Sequence, residues 1–181
     1  MTRDEAMELV TSQVSNTNLI KHMLATEAVM RELAVYFGED EELWGLAGLL
    51  HDLDYDRTAD DFQRHGLLTA EMLEPFAVDE RIVHAIRAHP GHVPAESRLD
   101  KALYAVDPLT GLLVAAALMH PTRKIGNVDV AFVLKRFKEK RFAAGANREQ
   151  IQACAGFGME LDQFVSMALK AMQAIDAELG L

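Results

Sequence analysis

His51 and Asp52 stand side by side at the end of the apolar run Leu49-Leu50. An imidazole and a carboxylate withdrawn from water there carry a desolvation cost unless something binds them. The chain repeats the theme elsewhere. His22, His65 and His89 each fall in line with apolar neighbours at helical spacing, and Asp107 is the single acid in the most apolar stretch, residues 103–119. Imidazole and carboxylate together offer coordination of a divalent cation, and a donor set without sulfur leans to iron or manganese, with zinc and magnesium as alternatives. Sulfur is not on offer: Cys154 is the only cysteine, so thiolate clusters and internal disulfides are both excluded.

Those residues are spread over several predicted helices, which must converge for any site to exist. Residues 4–14 read as a short amphipathic helix, and residues 15–18 as a turn carrying a cap for the next helix. Spacing then predicts a helix over 19–37 with His22, Thr26, Val29 and Leu33 on one stripe, stopped by Gly38. A helix over 41–53 puts Ala47, Leu50 and His51 on one face, with Gly45 and Gly48 permitting close approach of a neighbour. Residues 54–61 are polar and acidic and read as a loop at the mouth of whatever His51 and Asp52 face. Helical spacing resumes over 62–76 with His65, Leu68, Thr69 and Met72 in line, until Pro75 ends it. Asp79 caps a helix to residue 89, on which Ile82, Ile86 and His89 align while His84 is turned away. Pro90 to Pro94 is a loop and includes His92.

Ser97 or Asp100 starts the apolar helix that carries Asp107, and Pro108 predicts a kink where that carboxylate projects. After Pro121 comes the basic run 135–141, more naturally a solvated helix face than a phosphate clamp. A helix begins near Asn147-Arg148, Gly156 and Gly158 mark a break, and residues 161–179 read as a long closing helix. No stretch alternates like a strand. The expected fold is all-α: a compact helical bundle forming one domain over 1–181, with its motif-bearing core at about 19–115 and the helices of 121–181 packed on it.

The bulk numbers fit this picture. The 181 residues suit one domain with a core of its own, and 28 acidic against 18 basic side chains give a formal charge of −10. That balance argues against nucleic acid or an anionic membrane as partner. A small anionic substrate remains compatible, because a metal supplies the local positive field. The N-terminus lacks a basic-then-apolar signal profile, and the longest unbroken apolar run, 112–119, is shorter than the ~20 residues a bilayer span needs. A cytoplasmic protein is expected.

The pattern of His22, then His51-Asp52, then Asp107 resembles the HD-domain metal-dependent phosphohydrolases. The context matches as well, with Ala47-Gly48-Leu49-Leu50 before the doublet and Ala102 to Val106 before the last aspartate. The resemblance spans about residues 19–115 and is nearest to a group of small HD hydrolases, more distantly to HD-type diadenosine tetraphosphate hydrolases. It implies a helical fold in which His22, His51, Asp52 and Asp107 hold a first metal. In a subset of the superfamily further histidines hold a second ion and the aspartate of the doublet bridges both; His65 and His89 sit where that subset has them. The subset often has two adjacent histidines at its fourth position, where this chain has His89-Pro90, and the small hydrolases commonly have glutamate in place of Pro108. His92 is a loop candidate for the absent histidine.

By this resemblance the reaction is hydrolysis of a phosphate ester or anhydride, with one or two divalent metals and a small nucleotide-like or phosphorylated metabolite as substrate. Asp52 is expected at the centre of the chemistry. Asp54 and Asp56 are expected to orient water or protonate a leaving group, or else to be plain loop acids. Lys124, Lys135, Lys138 and Arg148 are the visible candidates for holding a non-reacting phosphate. Two alternatives use the same residues: an HD-type di-iron oxygenase, and a catalytically silent ligand-binding module.

Overall fold

The computed structural model describes residues 1–181 and is built of helices and turns with no strand, as the sequence pattern predicts. Helix α1 (Arg3–Gln13) opens with a capping box between Thr2 and Glu5. Asn16 caps α2 (Thr17–Phe37), which ends at Gly38 in the left-handed conformation at φ +69°. Asp40 caps α3 (Glu41–Leu50). The predicted helix over 41–53 therefore stops three residues early, with His51 as its C-cap and residues 52–54 in turns. A short α4 (Tyr55–Thr58) follows, so the expected loop at 54–61 is partly helical.

The chain then turns through His65 and Gly66 into α5 (Leu67–Leu73), shorter than the helix predicted over 62–76. Gly66 sits at φ +76°, and a Cβ there would lie 2.8 Å from the Ile86 carbonyl oxygen. Only glycine fits that turn, and it ends the helix predicted through His65. Asp79 caps α6 (Glu80–Ala88), leaving His89 as the C-cap.

Helix α7 (Arg98–Met119) is the axis of the molecule. Ser97 and Asp100 share its capping box, so both residues named as possible starts take part. The helix runs on through Pro108. By length and composition α7 is apolar enough to cross a membrane, which the shorter unbroken run at 112–119 did not foretell. Here it packs as a core helix: Leu103, Val106, Leu109 and Leu113 are fully buried, and α2, α3, α6 and the C-terminal elements all lie against it.

A 3-10 turn at Ile125–Asn127 leads to α8 (Val130–Phe137), which takes only the first part of the basic run. Asn147 caps α9 (Arg148–Gln152), and a second 3-10 turn (Ala153–Phe157) ends at Gly158. The expected closing helix is two, α10 (Leu161–Gln173) and α11 (Asp176–Leu179). One continuous apolar cluster runs from Ala6 in α1 to Leu179 in α11, so the C-terminal helices share their core with the motif-bearing ones.

The tightest approach serves the site directly. A Cβ on Gly48 of α3 would lie 2.9 Å from the backbone of Glu27 in α2, so the two helices can meet there only through glycine. That contact sets the C-terminus of α3, and hence His51, against His22.

Candidate metal centre

Each histidine of the cluster has its Nδ1 committed to an acceptor. At the end of α3, His51 Nδ1 lies 2.8 Å from the Gly48 carbonyl, and at the end of α6, His89 Nδ1 lies 2.6 Å from the Ile86 carbonyl. In both cases a helix C-terminus supplies a carbonyl left without an intrahelical partner. His65 Nδ1 lies 2.8 Å from Asp54 Oδ1. His22 Nδ1 lies 3.0 Å from Thr110 Oγ1, and that hydroxyl donates to the Asp107 carbonyl at 2.9 Å, so the imidazole must be the donor. These partners assign the tautomer: Nδ1 carries the proton and Nε2 is left as a lone pair in all four rings.

The lone pairs then converge. His22 Nε2 is 3.2 Å from His51 Nε2, and His65 Nε2 is 3.0 Å from His89 Nε2. Asp52 lies between the two pairs: Oδ1 is 3.4 Å from His51 and His65 Nε2 and 3.7 Å from His89, while Oδ2 is 3.4 Å from His22. Asp107 Oδ1 completes the first pair at 3.1 Å from His22 Nε2 and 3.8 Å from His51. All six residues predicted as ligands, His22, His51, Asp52, Asp107, His65 and His89, therefore lie in one cluster contributed by α2, α7, the C-terminal ends of α3 and α6 and the turn before α5.

Four imidazole lone pairs and two carboxylates with no hydrogen-bond donor between them repel one another unless a cation occupies the centre. The donor set thus fits a divalent metal, and the trios His22/His51/Asp107 and His51/Asp52/His89 each have ligand atoms close enough to hold one. Without metal, a proton is the substitute. Burial alone would keep His22 neutral, but hydrogen bonds to Asp107 and Asp52 outweigh it and raise the imidazole to about 10. Burial likewise opposes the charge on Asp52, yet His51, His22 and His89 hold it well below the usual carboxylate range. Burial pulls His89 down and keeps it neutral.

Asp54 is not at the mouth. It is fully buried and accepts from His65 Nδ1, from the Gly66 N–H at 2.8 Å and from the Thr69 N–H at 3.0 Å. Its carboxylate faces inward, because the turn at Gly66 and the start of α5 aim their N–H groups at it. Asp56, two residues on, points the other way and accepts from the backbone N–H groups of Ser15 and Asn16. His84 is half exposed and lies 3.1 Å from Asp100, outside the cluster. His92 spends its Nε2 on the His65 carbonyl at 2.8 Å, so it braces the turn that presents His65.

Two hydroxyls support the cluster without having been candidates for it, although Thr69 falls on the stripe of His65. Thr110, one turn after Asp107, and Thr69, which accepts from the Asp54 N–H at 3.1 Å, are both fully buried. A lone polar residue on an otherwise apolar helical stripe is the signal that marks them.

The cluster floors a cleft of about 690 Å³. Tyr55, Phe62 and Tyr104 line it, together with Gly145, Asn147 and Gln150 from the C-terminal part of the chain. The phosphate-holding candidates are elsewhere. Lys124, Lys135 and Lys138 are exposed and do not line this cleft, and the Arg148 guanidinium is spent on four backbone carbonyls.

A family model described as "HD domain" matches residues 19–117. Among curated proteins, Ribonuclease Y of Sulfurovum sp. (strain NBC37-1) is 30% identical over 135 residues, which cover 73% of this chain and 26% of that protein. Ribonuclease Y of Oleidesulfovibrio alaskensis is 31% identical over 94 residues, covering 52% of this chain and 18% of the relative. An uncharacterized protein of Methanocaldococcus jannaschii is 29% identical over 152 residues, covering 79% of this chain and 87% of its own length. The chain thus spans about a quarter or less of the Ribonuclease Y proteins it matches. No solved structure matches it.

Proposed function

The chain belongs to the HD-domain family, and on that premise we propose that it is a metal-dependent hydrolase of a phosphate ester or anhydride, acting on a small phosphorylated molecule. One observation carries this reading: acceptor atoms of six residues converge with every imidazole held in the tautomer that presents a lone pair. A divalent metal bound there, iron or manganese by its donors, lowers the pKa of water and offsets charge on phosphoryl oxygens.

The chain's own residues have distinct tasks. His22, His51 and Asp107 form one half of the ligand set and His65 and His89 the other, with Asp52 reaching both. Thr110 and Asp54 do not touch substrate; they hold His22 and His65 in register. The acidic net charge and a cleft without lysine or arginine support a small substrate over a nucleic acid. Because similar proteins carry the name Ribonuclease Y, an RNA oligonucleotide is the natural comparator.

The test is elemental analysis of protein purified without chelator, followed by a panel of phosphate esters, nucleotides and an RNA oligonucleotide with manganese or iron. Release of phosphate from a small ester that disappears in Asp52→Ala is the expected result. Metal-loaded protein inert on the whole panel, or active only with oxygen uptake, overturns it.

A further inference from the structure

The cleft above the cluster is built from two parts of the chain with different origins. Its floor and one side, with Tyr55, Phe62 and Tyr104, fall within residues 19–117 matched by the family model. A further wall is Gly145, Asn147 and Gln150, which lie beyond that match. This wall is rigidly built. Arg148 donates to the carbonyls of Phe137 (3.3 Å), Phe142 (2.5 Å), Ala143 (2.6 Å) and Ala146 (2.7 Å), so one guanidinium gathers the loop 137–146 into a fixed shape beside α7.

The groups this wall offers are neutral and unspent. Asn147 Oδ1 caps α9 by accepting from the Glu149 and Gln150 N–H groups, which leaves its Nδ2 as a free donor. Gln150 contributes only its backbone N–H to that cap, so its side-chain amide is free in both senses. In the same cleft, Phe62 is 59% exposed and Tyr55 38%. Both rings flank His65, within 5.1 Å and 5.3 Å by centroid. No lysine or arginine lines this cleft.

Aromatic rings together with amide donors and acceptors in one cleft suit a flat, uncharged, hydrogen-bonding ring. The absence of a cation away from the cluster leaves nothing to receive a second phosphate. We propose that the cleft takes a nucleoside monophosphate or a closely similar heterocyclic monophosphate ester, with its phosphate over the His/Asp cluster and its ring against the exposed aromatics and the Asn147/Gln150 wall. This rests on the hydrolase reading for the position of the phosphate. The competing ligand is a polyphosphate that crosses the wall, because Lys138 and Lys140 line a neighbouring groove that shares Gly145 and Asn147 with the cleft.

The experiment measures calorimetric binding and steady-state hydrolysis with the full-length, manganese-loaded protein. Its ligands are the common nucleoside 5′-monophosphates, the matching triphosphates, and glycerol phosphate as a monoester without a ring. Asn147→Ser keeps a helix-capping oxygen and Gln150→Met keeps length and helix propensity, so both variants are expected to fold, and melting curves check this. At least one monophosphate should bind tenfold or more tighter than both its triphosphate and glycerol phosphate. Each variant should cut that preference over glycerol phosphate at least fivefold, through KM rather than kcat.

Tighter triphosphate binding that is lost in Lys138→Ala/Lys140→Ala overturns the proposal, as does an equal effect of the wall variants on ring-bearing and ringless esters. If selective binding depends on Asn147 and Gln150 but no ester is hydrolysed, the hydrolase reading fails and the ring site stands. If esters are hydrolysed with no preference for a ring, the reverse holds.

Discussion

Two buried carboxylates, Glu27 at the Gly48 contact and Asp52 just beyond it, are satisfied in opposite ways. Glu27 is 3% exposed, and its oxygens accept from Arg3 Nε at 2.7 Å, Arg3 Nη2 at 3.0 Å and Arg31 Nε at 2.9 Å. Asp52 is 5% exposed and is surrounded instead by imidazole nitrogens whose protons face away from it. Burial and formal charge are alike. The difference is the supply of donors, and it separates a carboxylate that ties α1 to α2 from one that waits for a cation.

The comparison is broken most severely by removing each carboxylate in turn. Asp52→Ala should lower phosphate-ester turnover by at least about a thousandfold, roughly 4 kcal/mol of transition-state stabilisation, because it takes away the one residue that reaches both halves of the ligand set. In the metal-free protein at pH 7 the same change should lower the melting temperature only modestly, since Asp107 still holds the His22 proton whose second partner is Asp52. Glu27→Ala should do the reverse. It removes the partner of a half-exposed Arg3 and one of the partners of Arg31, which keeps Glu42, and is expected to cost about 2 kcal/mol of stability, while metal content stays stoichiometric. Calorimetric melting and elemental analysis of both variants check the pair; a large stability loss in metal-free Asp52→Ala would erase the distinction.

How far these two carboxylates could be told apart beforehand is instructive. Helical periodicity marked His22 and His89 as polar residues on apolar faces, and the resemblance of His22, His51-Asp52 and Asp107 to the HD pattern implied that they meet. Asp54 resisted that logic. It sits in a polar, acidic stretch that reads as surface, and only the left-handed turn at Gly66 brings N–H groups inward to bury it. The same turn took His65 out of the helix its spacing had suggested. Asn147 and Gln150 carried no signal at all, because neutral amides near a helix start look like ordinary caps. Their meaning comes from α9 packing on α7, which is a long-range contact.

Asp54 gives the next test, since it is a carboxylate satisfied by N–H groups like Glu27 but in the service of the cluster. Asp54→Asn keeps the shape of the side chain and removes the charge that fixes His65 with its proton on Nδ1. Loss of such a partner to a ligating histidine typically costs ten- to a hundredfold in metal affinity. That loss is expected for whichever ion depends on His65 and His89, with the ion held by His22, His51 and Asp107 less affected. Metal titration should therefore change from near-uniform to two resolved steps.

The smallest expected effect is the pH dependence that follows from the substitute proton. In the metal-free protein His22 keeps its proton up to about 10, because Asp107 and Asp52 outweigh the burial that would remove it. The folded value lies above the ~6.5 of an unfolded histidine, so this contribution to stability is complete below about pH 6.5 and disappears as pH rises through about 10. A metal must displace the same proton. Its apparent affinity should therefore rise about tenfold per pH unit across neutrality, with proton release detectable as buffer-dependent heat. Metal-free protein should melt lower at pH 9.5 than at pH 7, whereas metal-loaded protein should melt at least as high. Glu27, whose charge is met by arginines that do not titrate in this range, should contribute equally at both pH values, so Glu27→Ala shifts both melting curves without changing the gap between them.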